Sequence, residues 1–246
     1  MTMRCALASK GFINEDLHHN QTVMIETLKQ CSGKADIVIF GEAFLQGFYA
    51  ATFQNEHDRQ LAVACDHFII TAIQEAAKTY AIAVSFGFIE KVDDTFYSSQ
   101  LTIDAEGQIL DLFRRVSPGW KIPTAGPQYC EGNGFHAFFF QGKKAAVGLC
   151  GDLWFDENVE AVNKLNPDVV FWPVYTDYEA AKWNESEKHE YANQAAKVCD
   201  TVLYVNSYCL DKTGAEYAKG GSALFVKGQI AQEIPSGAEG ILIVEI

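Results

Sequence analysis

The chain has 246 residues, 48% of them hydrophobic and 13% aromatic, and a formal net charge of -13. That is enough apolar material for one layered domain spanning 1–246, and it excludes a disordered or low-complexity chain. The acidic balance argues against nucleic acid or an anionic membrane as a main partner, and no segment approaches the roughly 20 apolar residues of a membrane span.

The first residues, MTMRCALASKGFI, include one arginine and no apolar stretch long enough for a signal peptide, so the expected compartment is the cytoplasm. The cysteines, at 5, 31, 65, 130, 150, 199 and 209, are odd in number and scattered, which fits reduced thiols rather than a disulfide framework. The histidines give one adjacent pair, His18-His19, without an HExxH or CxxC pattern, and no metal site is expected.

Residues 3–9 read as a short first strand. Residues 15–31 carry Leu17, Met24 and Leu28 on a helical period, with Asn14 as candidate N-cap and Gly33 as the stop. The run 35–40, ADIVIF, suits a strand covered on both faces. Glu42 lies just past it, followed by apolar residues. Desolvation there raises a carboxylate's pKa and makes it a better proton acceptor, although alone Glu42 reads as an ordinary charged loop residue. Residues 59–80 read as a second helix, with Leu61, Ala64, Cys65, Phe68, Ile69 and Ile73 inward, and 81–89 as another strand. Strands 95–103 and 108–113 flank a turn at 104–107 in which Gly107 supplies the left-handed residue. Arg114-Arg115 closes the hairpin. Two adjacent arginines belong at the surface unless one turns inward.

The longest irregular stretch is 116–134, rich in Pro and Gly, where Trp120, Lys121, Tyr129 and Glu131 bring binding chemistry. Strands 135–141 and 144–150 follow, joined at Gly142. The second ends at Cys150, between Gly148 and Gly151. A cysteine there can sit on a tight turn at a sheet edge, where glycine lets another molecule approach. On this stretch alone a buried structural thiol is the ordinary reading. Residues 157–164 read as a helix, 168–174 as a strand, 175–178 as a polar and aromatic loop and 179–199 as a helix. Late strands are expected at 201–207, 222–226 and 241–246, with Lys227-Gly228 as a turn. Two mixed sheets packed face to face, with helices outside, would bury these runs in an α/β fold of four layers.

Glu42, Arg115 and Cys150 each follow a strand, and in this order the set resembles the nitrilase, or carbon-nitrogen hydrolase, superfamily. LCGDLWFDE is similar to that family's cysteine-x-Asp-x-x-Phe-x-Glu signature, and FGEAFLQGF to the block around its general base, with Gly41 where proline is usual. LFRRVSPGW is similar to its lysine block, and GGSALFVKGQI to its late Gly-x-Ser strand and turn. The resemblance implies an αββα sandwich and a Glu-Lys-Cys set.

It further implies that Glu42 takes the Cys150 proton and that Cys150 attacks a carbonyl or nitrile carbon. A cation and the Gly151 N–H would stabilise the oxyanion. An amine would leave, and water activated by Glu42 would hydrolyse the thioester, with no cofactor needed. The expected substrate is a small linear amide or carbamoyl amine. Arg115 stands at the lysine position. Arginine keeps the charge and the donors but is larger, planar and effectively never deprotonated. Lys121 would reach the site only if its loop folded back. The position of a second family glutamate aligns near Ile122, with Glu131 as a displaced candidate. Because of Arg115, a non-catalytic member that binds a ligand or partner is the alternative. Trp120, Glu131, Trp154, Tyr175 and Asp177 fall in loops expected to rim the pocket, and Asp177 and Glu131 would favour an amine-bearing substrate. A homodimer is expected by resemblance, with 172–178 and the following helix as contacts.

Overall fold

In the computed structural model, residues 2–211 and 217–246 are described. The strands are β1 (Arg4–Ser9), β2 (Gly11–Phe12), β3 (Ile37–Phe40), β4 (Ala83–Val92), β5 (Thr95–Ile103), β6 (Ile109–Arg114) and β7 (Ala137–Phe140). They continue as β8 (Lys143–Val147), β9 (Val169–Val174), β10 (Thr201–Asn206), β11 (Tyr208–Cys209), β12 (Ser222–Val226), β13 (Gln229–Ile234) and β14 (Gly240–Glu245). The helices are α1 (Leu17–Cys31), α2 (Asn55–Leu61), α3 (Phe68–Tyr80), α4 (Asp156–Leu165), α5 (Ala180–Lys182) and α6 (Lys188–Val198), with a π-helical turn, Trp183–Glu187, between the last two.

Two six-stranded mixed sheets form, in the orders β14-β1-β3-β4-β5-β6 and β13-β12-β10-β9-β8-β7. Strand side chains alternate between faces, and here both faces are covered. Cys5 and Leu7, Ile37 and Ile39, Val169 and Phe171, and Leu203 and Val205 fill the space between the sheets. Their neighbours Ala6, Ala8, Val38 and Phe40 pack instead under α1 and α3. Val170, Trp172, Val202 and Tyr204 pack under α4 and α6. The layers are therefore helix, sheet, sheet, helix, as an αββα sandwich requires. Each large side chain taken from water contributes roughly 1.5–3 kcal/mol.

Several local expectations change. Asp16, not Asn14, caps α1, its Oδ1 accepting from His19 N at 2.9 Å, while Asn14 donates to Asp211. The expected helix 59–80 is two helices, because Val63 leaves the helical path to bridge Glu90 beside β4. Phe68, expected inward, opens α3 and is 73% exposed. The strand β13 was hidden because its residues are mostly exposed and lack an apolar run.

Parallel pairing of β1, β3 and β4, and of β8, β9 and β10, brings the carboxyl ends of β3, β8 and β9 to one end of the sandwich. Open α/β sheets characteristically place their sites at such ends. Glu42, Cys150 and Tyr175 all follow these strand ends.

Candidate active site

Glu42 leaves β3 against the end of β9 in the opposite sheet, its N–H donating to Val174 O at 3.2 Å. Gly41 makes this approach possible: a Cβ there would lie 2.9 Å from Val174 O and collide with the Ser207 hydroxyl. Gly87 of β4 does the same from beneath, since a Cβ there would lie 2.7 Å from Glu42 Cα. The Glu42 side chain is 1% exposed. Its Oε1 accepts from Arg115 Nη1 at 2.8 Å and from Ser98 Oγ at 3.1 Å. Its Oε2 is buried without a protein partner among the described residues.

The two arginines after β6 point to opposite sides. Arg114 makes a two-pronged pair with Glu90. Arg115 turns inward, is 4% exposed and pairs with Glu42. Burial opposes its charge, but the Glu42, Cys150 and Asp152 charges outweigh that and its pKa is raised. Arg115 Nε donates to Ser117 Oγ at 3.0 Å. Its Nη2 lies beside Gly119 and Gly151, where added Cβ atoms would come within 3.0 and 2.6 Å, and it meets no protein acceptor among the described residues. Arg115 is thus the cation that reaches Glu42. Lys121 instead donates to Tyr129 O and pairs with Glu131.

Cys150 sits three residues past β8 at φ 45°, a left-handed conformation unfavourable for a residue with a side chain. Two contacts hold it: its carbonyl accepts from Trp172 Nε1 at 2.9 Å, and its thiol donates to Tyr175 O at 3.5 Å. The thiol's pKa is pushed up to about 12, first by burial and then by the Glu42 charge, against the pull of Arg115. At rest the group is therefore a thiol, and attack requires a base that removes its proton in the same step. The Gly151 N–H donates to no backbone acceptor among the described residues outside regular helices and strands.

Asp152, fully buried, ties the cation loop to the cysteine turn. Its Oδ1 accepts from Val116 N and Ser117 N at 3.1 and 2.7 Å, and its Oδ2 from Leu149 N at 3.1 Å. Burial raises its pKa to about 6, against the hydrogen bond from Ser117 and the charge of Arg115. Ser98 and Ser117 carry no expectation from the sequence, and Asp152 enters there only as the aspartate of the LCGDLWFDE block. The signal for Ser98 was present as a polar run inside β5, where Ser98, Ser99, Gln100 and Thr102 are all buried.

Of the expected rim residues, Gly151 and the Tyr175 carbonyl join the centre. Trp120 is buried in a loop cluster with Phe96 and Tyr129. Glu131 is engaged by Lys121. Trp154, 41% exposed, packs on Trp172 and Tyr191. Asp177 is exposed. Within 172–178, Trp172, Val174 and Tyr175 are buried in their own chain, while Thr176, Asp177 and Tyr178 reach the surface. Among the described residues no group of three or more His, Cys, Asp or Glu side chains is arranged to hold a metal ion, and no helix is long and apolar enough to cross a membrane.

The chain belongs to the carbon-nitrogen hydrolase family, whose sequence pattern matches residues 8–246. It is 26% identical over 168 residues to N-carbamoylputrescine amidase of Arabidopsis thaliana, covering 65% of this chain and 54% of that protein. It is 31% identical over 147 residues to the Solanum tuberosum N-carbamoylputrescine amidase, covering 56% and 47%. The chain thus spans about half the length of these curated relatives. Among solved structures, the Nesterenkonia AN1 amidase from the nitrilase superfamily superposes with a TM-score of 0.79 at 18% identity, covering 99% of this chain and 90% of that one. The glutamine-dependent NAD+ synthetase from Acinetobacter baumannii superposes with a TM-score of 0.77 at 24% identity, covering 100% of this chain and 45% of that one. These superpositions show the shared fold, with two mixed sheets between helices.

Proposed function

We propose that the chain hydrolyses a non-peptide C–N bond in a small linear amide or carbamoyl amine through a thioester on Cys150. The observation that carries this reading is the pair of uncommitted groups in the centre. Glu42 Oε2 is a buried acceptor and Arg115 Nη2 a donor without a protein acceptor among the described residues. An amide offers the matching set, a carbonyl oxygen to accept and an amine that must gain a proton.

In this mechanism Glu42 accepts the thiol proton as sulfur attacks the carbonyl carbon. Negative charge develops on oxygen and is met by Arg115 Nη2 and the Gly151 N–H. Glu42 returns the proton to the departing nitrogen, the C–N bond breaks, and a thioester remains. Glu42 then takes a proton from water, whose oxygen attacks the thioester carbon; the acid leaves and the thiol is restored. The names of the Arabidopsis and Solanum relatives favour a carbamoyl amine with a second, cationic nitrogen, which Asp177 would meet at the rim. Competition between cationic and anionic amides tests that preference, and equal inhibition by both removes it.

The test of the chemistry is intact-protein mass and ammonia release after mixing with a panel of small amides and carbamoyl amines. An acyl adduct on wild-type protein, absent from Cys150→Ala, is expected. Identical silence from both proteins across the panel would overturn the reading. The homodimer implied by family likeness is also a proposal, with exposed Trp154 and Phe155 as its apolar candidates, and a monomer mass in sedimentation at micromolar concentration would refute it.

A further inference from the structure

We propose that Ser117, Gly119 and Gly151 form a slot fitted to arginine, in which Arg115 acts as a two-armed cation. One arm holds Glu42, and the other is open to the carbonyl oxygen of a substrate at Cys150. The inference deepens the thiol-hydrolase reading and rests on it.

The guanidinium has three separate directions in use. Nε donates to Ser117 Oγ at 3.0 Å, Nη1 donates to Glu42 Oε1 at 2.8 Å, and Nη2 is left over beside the cysteine turn. A lysine ammonium is a single compact point and cannot occupy these three positions together. Space for Nη2 exists because two neighbours lack a Cβ. One at Gly151 would stand 2.6 Å from Nη2, so this arm of the fork would have to move, and one at Gly119 3.0 Å, which would press it by a few tenths of an ångström. Neither glycine is required here by a left-handed φ, so close approach is the reason for both.

Ser117 is a positioning residue. Its backbone is clamped by Asp152, which also accepts from Leu149 N immediately before the cysteine. Loop and cysteine turn are thereby held at one spacing, and the planar fork is fixed before substrate arrives.

The test is a double-mutant cycle on the full chain, using Arg115→Lys, Gly151→Ala and their combination. It is read by kcat and KM on an amide that turns over and by the pH profile of Cys150 alkylation with iodoacetamide, resolved by peptide mapping. Arg115→Lys is expected to lose activity. Gly151→Ala is expected to lose roughly tenfold or more in kcat in the parent, and almost nothing further once lysine is at 115. Gly119→Ala provides the same comparison should Gly151→Ala fail to fold. Ser117→Ala, by removing a hydrogen bond to a charged group, is expected to lower kcat roughly ten- to a hundredfold with KM little changed. Independent multiplication of the Arg115→Lys and Gly151→Ala effects, or a gain of activity in Arg115→Lys, would overturn the slot. If the parent turns over no amide, the hydrolase reading fails separately, and alkylation still reads the slot. Arg115→Lys and Gly151→Ala should each move the Cys150 profile to higher pH and should not add, and additive shifts overturn the proposal.

Discussion

Replacing Glu42 by glutamine should separate two properties that usually fall together. In the parent the Cys150 pKa is about 12 against an ordinary 9.0, so at pH 8 the thiolate fraction is about one in ten thousand. Burial is the largest cause and remains in the variant, while the Glu42 charge, the second cause, is removed. At an effective dielectric of about 20, a charge about 4 Å away is worth about 4 kcal/mol, or roughly a thousandfold in thiolate fraction. A thiolate of lower pKa is intrinsically less nucleophilic, with a Brønsted slope of about 0.4–0.5, so the net gain in alkylation is about thirty- to sixtyfold. Arg115 stays to favour the thiolate. Amide hydrolysis, which needs the carboxylate to carry protons, should fall roughly 10²–10⁴-fold. The assay is iodoacetamide labelling at pH 8, peptide-mapped because Cys65, Cys130 and Cys199 are also partly exposed, beside ammonia release. Labelling of Cys150 that slows or stays constant in Glu42→Gln would refute the electrostatic account, and so would undiminished hydrolysis.

Other outcomes follow from the same contacts. Asp152 has its pKa raised to about 6 from 3.8, so the folded chain holds that proton more tightly than the unfolded one. Its contribution to stability is complete below about pH 4 and is lost as pH rises through 6. That gap, at 1.36 kcal/mol for each pKa unit, amounts to about 3 kcal/mol. Denaturant unfolding of the parent minus that of Asp152→Asn should show this slope between pH 4 and 7, and a flat difference would exclude it. Gly87→Ala should displace Glu42 and lower kcat with little change in α-helical circular dichroism, because its added methyl meets the Glu42 backbone. Phe171→Ala, between the sheets, should lower unfolding free energy by about 3–5 kcal/mol in a urea titration while leaving Cys150 alkylation kinetics of the folded protein unaltered.

The layers were legible because runs such as ADIVIF and DVVFWPV can be buried only with cover on both faces, which two sheets between helices provide. The break between α2 and α3 was not, since the apolar residues of LAVACDHFII keep to a helical period around Asp66 and His67 and the strand-like bridge from Val63 to Glu90 is a tertiary choice. At the site, Glu42 and Cys150 could be read because each ends an apolar run. Their contacts could not: Ser98 reaches Glu42 across 56 residues and Asp152 meets Ser117 across 35, so the polar run in β5 and the aspartate of the cysteine block announce polar groups but not the partners they meet. The direction taken by Arg115 likewise depended on a carboxylate that waits 73 residues away.

The paired arginines give β6 an unequal tolerance to changes in length. The strand already contains an unpaired residue, Leu110, where the register with β5 shifts between Thr102 and Ile103. Beyond that point pairing is regular and each position has a fixed side. An inserted residue there would push Arg114 into the place of Arg115 and still deliver a guanidinium to Glu42. A deleted residue would bring Val116 there instead and leave a buried carboxylate facing a hydrocarbon. A duplication in this hairpin is therefore survivable for the charge balance of the centre, whereas a loss is not, and descendants of this chain should accumulate the former more readily than the latter.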